Sequence, residues 1–186
     1  MTWCLAALAW CVLSVSAQAQ GKFFTKNGEI SFYSKASLEE IEAANKKVTS
    51  VLDTESGKLE FSLLMNAFMF EKALMQEHFN ENYVESEKFP KSTFKGKVSD
   101  ISAVNFGKDG SYNVTVSGDL TIHGVTKPVS AKGVIKVAAG KVSAKSTFNI
   151  ALADYKVQIP AVVKDNISPN IEIRVSMNYQ PLNSDK

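Results

Sequence analysis

The chain has 186 residues, 45% of them hydrophobic, and a formal net charge of +2. That is apolar material for one domain with its own core, and it excludes a disordered chain. Its only arginine is Arg174, all other basic residues being lysines; a nucleic-acid surface, which favours the bidentate fork of Arg, is not expected.

The chain opens with an uncharged segment, Met1 to Gln20, carrying an apolar run from Leu5 to Val15 and then Ala17-Gln18-Ala19. Small residues at that spacing predict a secretory signal, residues 1–19, cleaved after Ala19 and followed by one domain, residues 20–186. The protein is then exported, and periplasmic if its source is a bacterium with an outer membrane. The run falls short of the roughly 20 residues of a spanning helix. Trp10 stands where a lipid-modified Cys11 would need a small residue. Both cysteines, Cys4 and Cys11, lie inside this leader. The processed chain is left without a disulfide, a thiolate nucleophile or a cysteine metal site.

Beyond the leader the dominant period is two. Ile30 and Phe32 alternate with Glu29 and Ser31; Leu59, Phe61, Leu63 and Met65 alternate with polar neighbours. Ser37 to Ala44 carries helix formers behind a capping serine and reads as a turn or two of helix or a polar insertion. Glu71 to Tyr83 reads as an amphipathic helix, because Leu74, Met75, His78, Phe79 and Tyr83 recur at steps of three and four. Phe89-Pro90 resets the chain before a strand over Thr93 to Ser99. Longer alternations follow: Tyr112 to Ile122, Val142 to Leu152 and Ile171 to Tyr179. Lys108-Asp109-Gly110, His123-Gly124 and Ala139-Gly140-Lys141 read as hairpin turns between them. About eight antiparallel strands and one short amphipathic helix must share one dry face. The fold class is therefore mainly β, an antiparallel barrel, which removes exposed edges; a two-sheet sandwich is the alternative.

The dry faces mix sizes. Gly96, Gly118, Ala131, Gly133, Ala144 and Ser146 share them with Phe94, Leu120, Ile135 and Phe148. Small residues at several levels let an eight-stranded barrel hold one ligand; alternatively they only relieve crowding against large partners. Met65, Met69, Met75 and Met177 suit a long, irregular apolar guest. Phe68, Met69, Phe70, Leu74, Met75 and Phe79 could close one end of such a cavity.

The segment Gly118-Asp119-Leu120-Thr121-Ile122-His123-Gly124-Val125-Thr126-Lys127-Pro128-Val129 resembles the signature of the YceI-like family. Phe89 to Phe94, the helix around Leu74 to Phe79, and Asp154-Tyr155-Lys156-Val157 resemble further elements of it, so the likeness spans roughly Leu59 to Tyr179. The resemblance implies an extended lipocalin-like barrel, exported, in which some members hold a polyisoprenoid chain such as a quinone. This sequence departs from the pattern in having no histidine in its first strands.

Chemical motifs are sparse. The only histidines are His78 and His123, with no HxxxH, CxxC, GxSxG, P-loop or GxGxxG. No metal site, no cofactor and no enzymatic role are expected. The expected function is a carrier or store for an elongated apolar ligand of isoprenoid or quinone type, with a stress-related role left open. A protein-interaction module with a filled barrel, and an enzyme on an apolar substrate, are the alternatives. The expected lining is Phe61, Leu63, Met65, Phe68, Leu74, Met75, Phe79, Val116, Leu120, Phe148, Ile150, Ile173 and Val175. His78, Tyr83 and Tyr155 are the candidates for polar groups at the mouth. Transient membrane contact and a homodimer both stay open.

Overall fold

The structure, a computed structural model, describes residues 21–182. The expected leader, with Cys4 and Cys11, lies outside the described residues. Nine strands form: β1 Lys22–Lys35, β2 Glu40–Asp53, β3 Lys58–Leu64, β4 Met69–Phe70, β5 Lys91–Val98, β6 Gly110–Ile122, β7 Val125–Ala138, β8 Lys141–Ala151 and β9 Asn170–Pro181. They pair antiparallel in the order β1-β9-β8-β7-β6-β5-β3-β2, and β2 pairs back to β1, closing the sheet. The dipeptide β4 resumes the course of β3 after the 3-10 turn Met65–Ala67 and pairs with Ala43 and Ala44 of β2. Counted as one interrupted strand, β3 and β4 make this a closed barrel of eight. Closure pairs the first and last members of the sheet, so the many alternating strands share one enclosed dry face.

The interruption has a specific repair. Asn45, fully buried on β2, donates its amide to the Leu64 carbonyl at 2.8 Å, while its own carbonyl accepts from the Lys47 N–H at 2.9 Å. A buried amide thus replaces the ladder bonds lost where β3 turns away.

Several local expectations are corrected. Ser37 to Ala44 is not helix: a turn at Ala36–Glu39 leads into β2. There Ala43 and Asn45 are buried beneath exposed Glu40 and Glu42, so strand alternation overrides helix propensity. The helix expected over Glu71 to Tyr83 is two pieces, α1 (Ala73–His78) and a π-helical turn, Phe79–Tyr83. No side chain caps α1, and the chain widens where Phe79 turns towards Phe32, Phe68 and Phe70. Lys108-Asp109-Gly110 is not a two-strand hairpin, because β5 ends at Val98 and the 3-10 turn Ile101–Ala103 intervenes. Asp109 instead accepts from the Ala139 N–H at 2.9 Å, tying two loops at one end of the barrel. His123-Gly124 is a true hairpin turn, with both residues left-handed at φ 51 and 70°.

The core is uneven along the barrel axis. One end is solid: Leu52, Val98, Ile135, Val137, Val142 and Met177 are fully buried. The Tyr179 hydroxyl shares a 2.8 Å hydrogen bond with Ser50 there, and burial pushes its pKa up to about 12. The opposite end carries most of the irregular chain: the β1–β2 turn, the stretch Met65 to Pro90 with α1, and the long connection from Leu152 to Pro169.

Candidate functional site

The solid core does not continue through the barrel. Above it lies a cavity of about 580 Å³, walled by strands and roofed by α1 and the Phe79–Tyr83 turn. This is the size of an ordinary small-molecule site. The walls alternate as a half-hollow barrel requires. Along β6, Val114, Val116 and Leu120 point inward but are only partly buried; Phe148, Ile173 and Val175 on β8 and β9 behave alike. These inward side chains keep accessible surface because they border the open space.

All but one of the residues expected from sequence line this cavity: Phe61, Leu63, Met65, Phe68, Leu74, Met75, His78, Phe79, Tyr83, Val116, Leu120, Phe148, Ile150, Ile173 and Val175. Tyr155 is the correction. It sits outside the lining, in a satellite core with Ile150, Val157 and Ile171. Its hydroxyl is buried and finds no partner among the described residues, and burial with nearby Asp154 raises its pKa. Of the methionines proposed as adaptable lining, Met65 and Met75 are present, Met69 is exposed outside, and Met177 belongs to the solid end.

Sequence reasoning missed Phe32, Ile41 and Val129 as lining, while Phe70, expected only to help close one end, is also part of it. The most consequential is Phe32, whose ring lies 5.4 Å from Phe68, 5.7 Å from Phe70 and 5.4 Å from Phe79, centre to centre. These four rings form the aromatic side of the cavity, joining β1, the broken β3–β4 strand and the π-helical turn. The alternation of Ile30 and Phe32 was the available signal.

The small residues divide into two groups. Ala131, Gly133, Ala144 and Ser146 line the cavity and set its width. Gly96 and Gly118 face each other across β5 and β6, and a methyl group on either would strike backbone or the Phe94 ring. That pair relieves crowding and adds no space.

Polar groups gather at the mouth. Glu39, on the β1–β2 turn, meets Lys72 Nζ at 3.2 Å and accepts from the Asn166 amide at 3.4 Å. The Leu38 N–H donates to the Asp165 carbonyl at 3.0 Å. The turn, the start of α1 and the long connection are thereby tied together over the opening. His78 and Tyr83 are the polar side chains of the helical roof that line the cavity, and burial raises the Tyr83 pKa.

His123 is not in the lining. Its Nε2 lies 2.7 Å from a Glu85 carboxylate oxygen, its Nδ1 lies 3.1 Å from the Tyr155 carbonyl, and the Phe89 ring stands edge-on at 4.7 Å. Each ring nitrogen thus has an oxygen partner, so the imidazole is held from both sides. The hydrogen bond from His123 holds the Glu85 carboxyl below the ordinary glutamate value. His123 is therefore a brace joining the β6–β7 turn to the roof and to the satellite core.

An antiparallel barrel packed solid at one end and hollow, aromatic and aliphatic at the other defines a class of small β-barrels shaped to enclose an apolar molecule. The chain belongs to the YceI-like family, whose domain profile matches residues 9–179. No curated protein sequence matches it. Solved structures share its fold. A polyisoprenoid binding domain from Saccharophagus degradans, implicated in plant cell wall breakdown, is 13% identical with a TM-score of 0.76, covering 87% of this chain and 99% of that one. BcnA of Burkholderia cenocepacia is 15% identical at a TM-score of 0.67, over 82% of this chain and 96% of that one. The YceI protein of Campylobacter jejuni is 23% identical at 0.56, over 74% and 84%.

Proposed function

We propose that this protein is an exported carrier or store that holds an elongated apolar molecule, an isoprenoid or quinone-type chain, in the hollow half of its barrel and leaves it chemically unchanged. The observation that carries this reading is the cavity itself, walled by Phe61, Leu120, Phe148, Ile173 and their neighbours. Each methylene buried against such a wall contributes about 0.8 kcal/mol, so a long chain gains more than a compact polar solute. The similar domain from Saccharophagus degradans, described as polyisoprenoid binding, supports the ligand class. The leader at residues 1–19 supports export.

Native mass spectrometry of protein purified from an exporting host, followed by organic extraction, tests the reading. The expected result is a chain starting at Gln20, carrying an extractable apolar molecule that is recovered intact. A bare chain that also fails to take up added isoprenoid alcohol overturns it. Recovery of a chemically altered lipid would favour an enzyme instead.

A further inference from the structure

The barrel wall is not continuous. Between β6 and β7 the ladder runs the whole length, from Gly110↔Val137 to Ile122↔Val125. Between β8 and β9 it runs from Val142↔Tyr179 to Ala151↔Asn170. Between β7 and β8 it stops at Gly133↔Ser146. The Ser146 hydroxyl makes a last tie to the Lys132 carbonyl at 2.7 Å, and beyond the strands the His123 ring lies 3.1 Å from the Tyr155 carbonyl. The far part of this seam is stoppered by Val125, Ile150, Leu152 and Tyr155 of the satellite core. The near part is walled by the small residues Ala131, Gly133 and Ser146, with Val129 and Phe148 between them and the stopper.

At that thin place the cavity reaches the outside. Its boundary includes Val134 and Lys145, whose side chains are exposed on the outer face. A groove on the outer surface shares Val114, Gly133, Val134, Lys145 and Ser146 with it. Lys132 and Lys145 both border this groove, both are exposed, and neither makes an ion pair among the described residues; Asp100 is the one carboxylate in its lining. The mouth differs, since its cation, Lys72, is already matched by Glu39.

We infer that the β7–β8 seam is a second, lateral opening, and that it takes the anionic head group of a single-chain amphiphile whose apolar tail lies in the lumen. The inference rests on the lumen being the apolar site. The tail is held by apolar burial, while Lys132 and Lys145, with the hydroxyls of Thr115 and Thr147 beside them, meet the anion at the groove. The head group stays wet, so no charge is buried inside the barrel.

The test is displacement of the neutral fluorescent probe N-phenyl-1-naphthylamine by hexadecanol and by hexadecyl phosphate. The wild type is compared with the Lys132→Gln/Lys145→Gln double variant and with Lys72→Gln. At low salt the phosphate is expected to bind about tenfold more tightly than the alcohol, the order set by two exposed lysine contacts. That preference is expected to vanish in the double variant and at high salt, and to persist in Lys72→Gln. Equal affinities in the wild type, or a preference that disappears with Lys72, would overturn the lateral site while leaving the lumen in use. Failure of hexadecanol itself to compete would remove the lumen reading and this inference together.

Discussion

The two ends of the barrel are built from the same kinds of residue and do opposite things with them. At the solid end Val137 is 2% exposed, Val142 2% and Met177 0%, and none of the three borders the cavity, whose floor is Leu52 and Ile135. At the hollow end Leu120, Phe148 and Val175 also point inward, yet all are only partly buried. Hydrophobic patterning therefore does not distinguish a core from a cavity. What distinguishes them is whether opposite strands supply enough volume at the same level. The solid end gives the fold its stability, which frees the other end to stay unfilled.

The comparison is broken most directly by paired truncations in ligand-free protein. Met177→Ala removes a packed side chain away from the cavity and leaves a void, and is expected to cost about 3 kcal/mol in denaturant unfolding. Leu120→Ala enlarges a space that already exists and is expected to cost about 1 kcal/mol, with loss of ligand affinity as its main effect. Equal costs would mean that the hollow end is packed as tightly as the solid one.

Tyr179 sharpens the account of the solid end. Tyr179→Phe leaves Ser50 without its partner, at an expected cost of about 1 kcal/mol near neutral pH. The buried phenol titrates at about 12 instead of 10.0, so its protonated form favours the folded state. That contribution is whole below pH 10.0 and is lost as the pH rises towards about 12. Wild-type stability should fall over this window, and the phenylalanine variant should not share the fall.

The smallest effect belongs to Tyr155, between the two ends in character. It is packed like the solid end but carries a buried hydroxyl with no partner among the described residues. Tyr155→Phe should be neutral or should stabilise by up to about 1 kcal/mol, because it removes an unsatisfied group and keeps the ring. A clear destabilisation in thermal melts would show that the hydroxyl does have a partner.

Much of this was legible in the sequence, for physical reasons that also mark its limits. Strands β6, β8 and β9 announce themselves because one face is dry and one wet over ten or more residues, and the period of two survives any detail of packing. Nearly all of the expected lining follows from that alternation once the barrel closes. Ser37 to Ala44 was misread because Glu and Ala favour helices locally, while burial of Ala43 and Asn45 between β1, β3 and β4 is a property of the assembled sheet. Phe32 was overlooked as lining because its three aromatic neighbours come from Phe68 onward, far along the chain. Tyr155 was placed at the mouth because a turn residue near a barrel rim has two sides. Only the fold of the Leu152 to Pro169 connection decides which side it takes. The halt of the β7–β8 ladder does leave a mark, Pro128, which has no N–H to give a ladder and lies in the part of β7 that β8 does not pair, beside the exposed run Thr126 to Pro128.

The central claim is that an apolar chain occupies the hollow half. The most direct measurement is a crystal structure of the protein saturated with a long isoprenoid alcohol. The account predicts continuous density for the chain between Phe61, Leu120 and Phe148, with Leu52, Ile135 and Met177 packed as they are without it. A chain lying on the outer surface, or a lumen closed by its own Leu120 and Phe148 side chains, would contradict it.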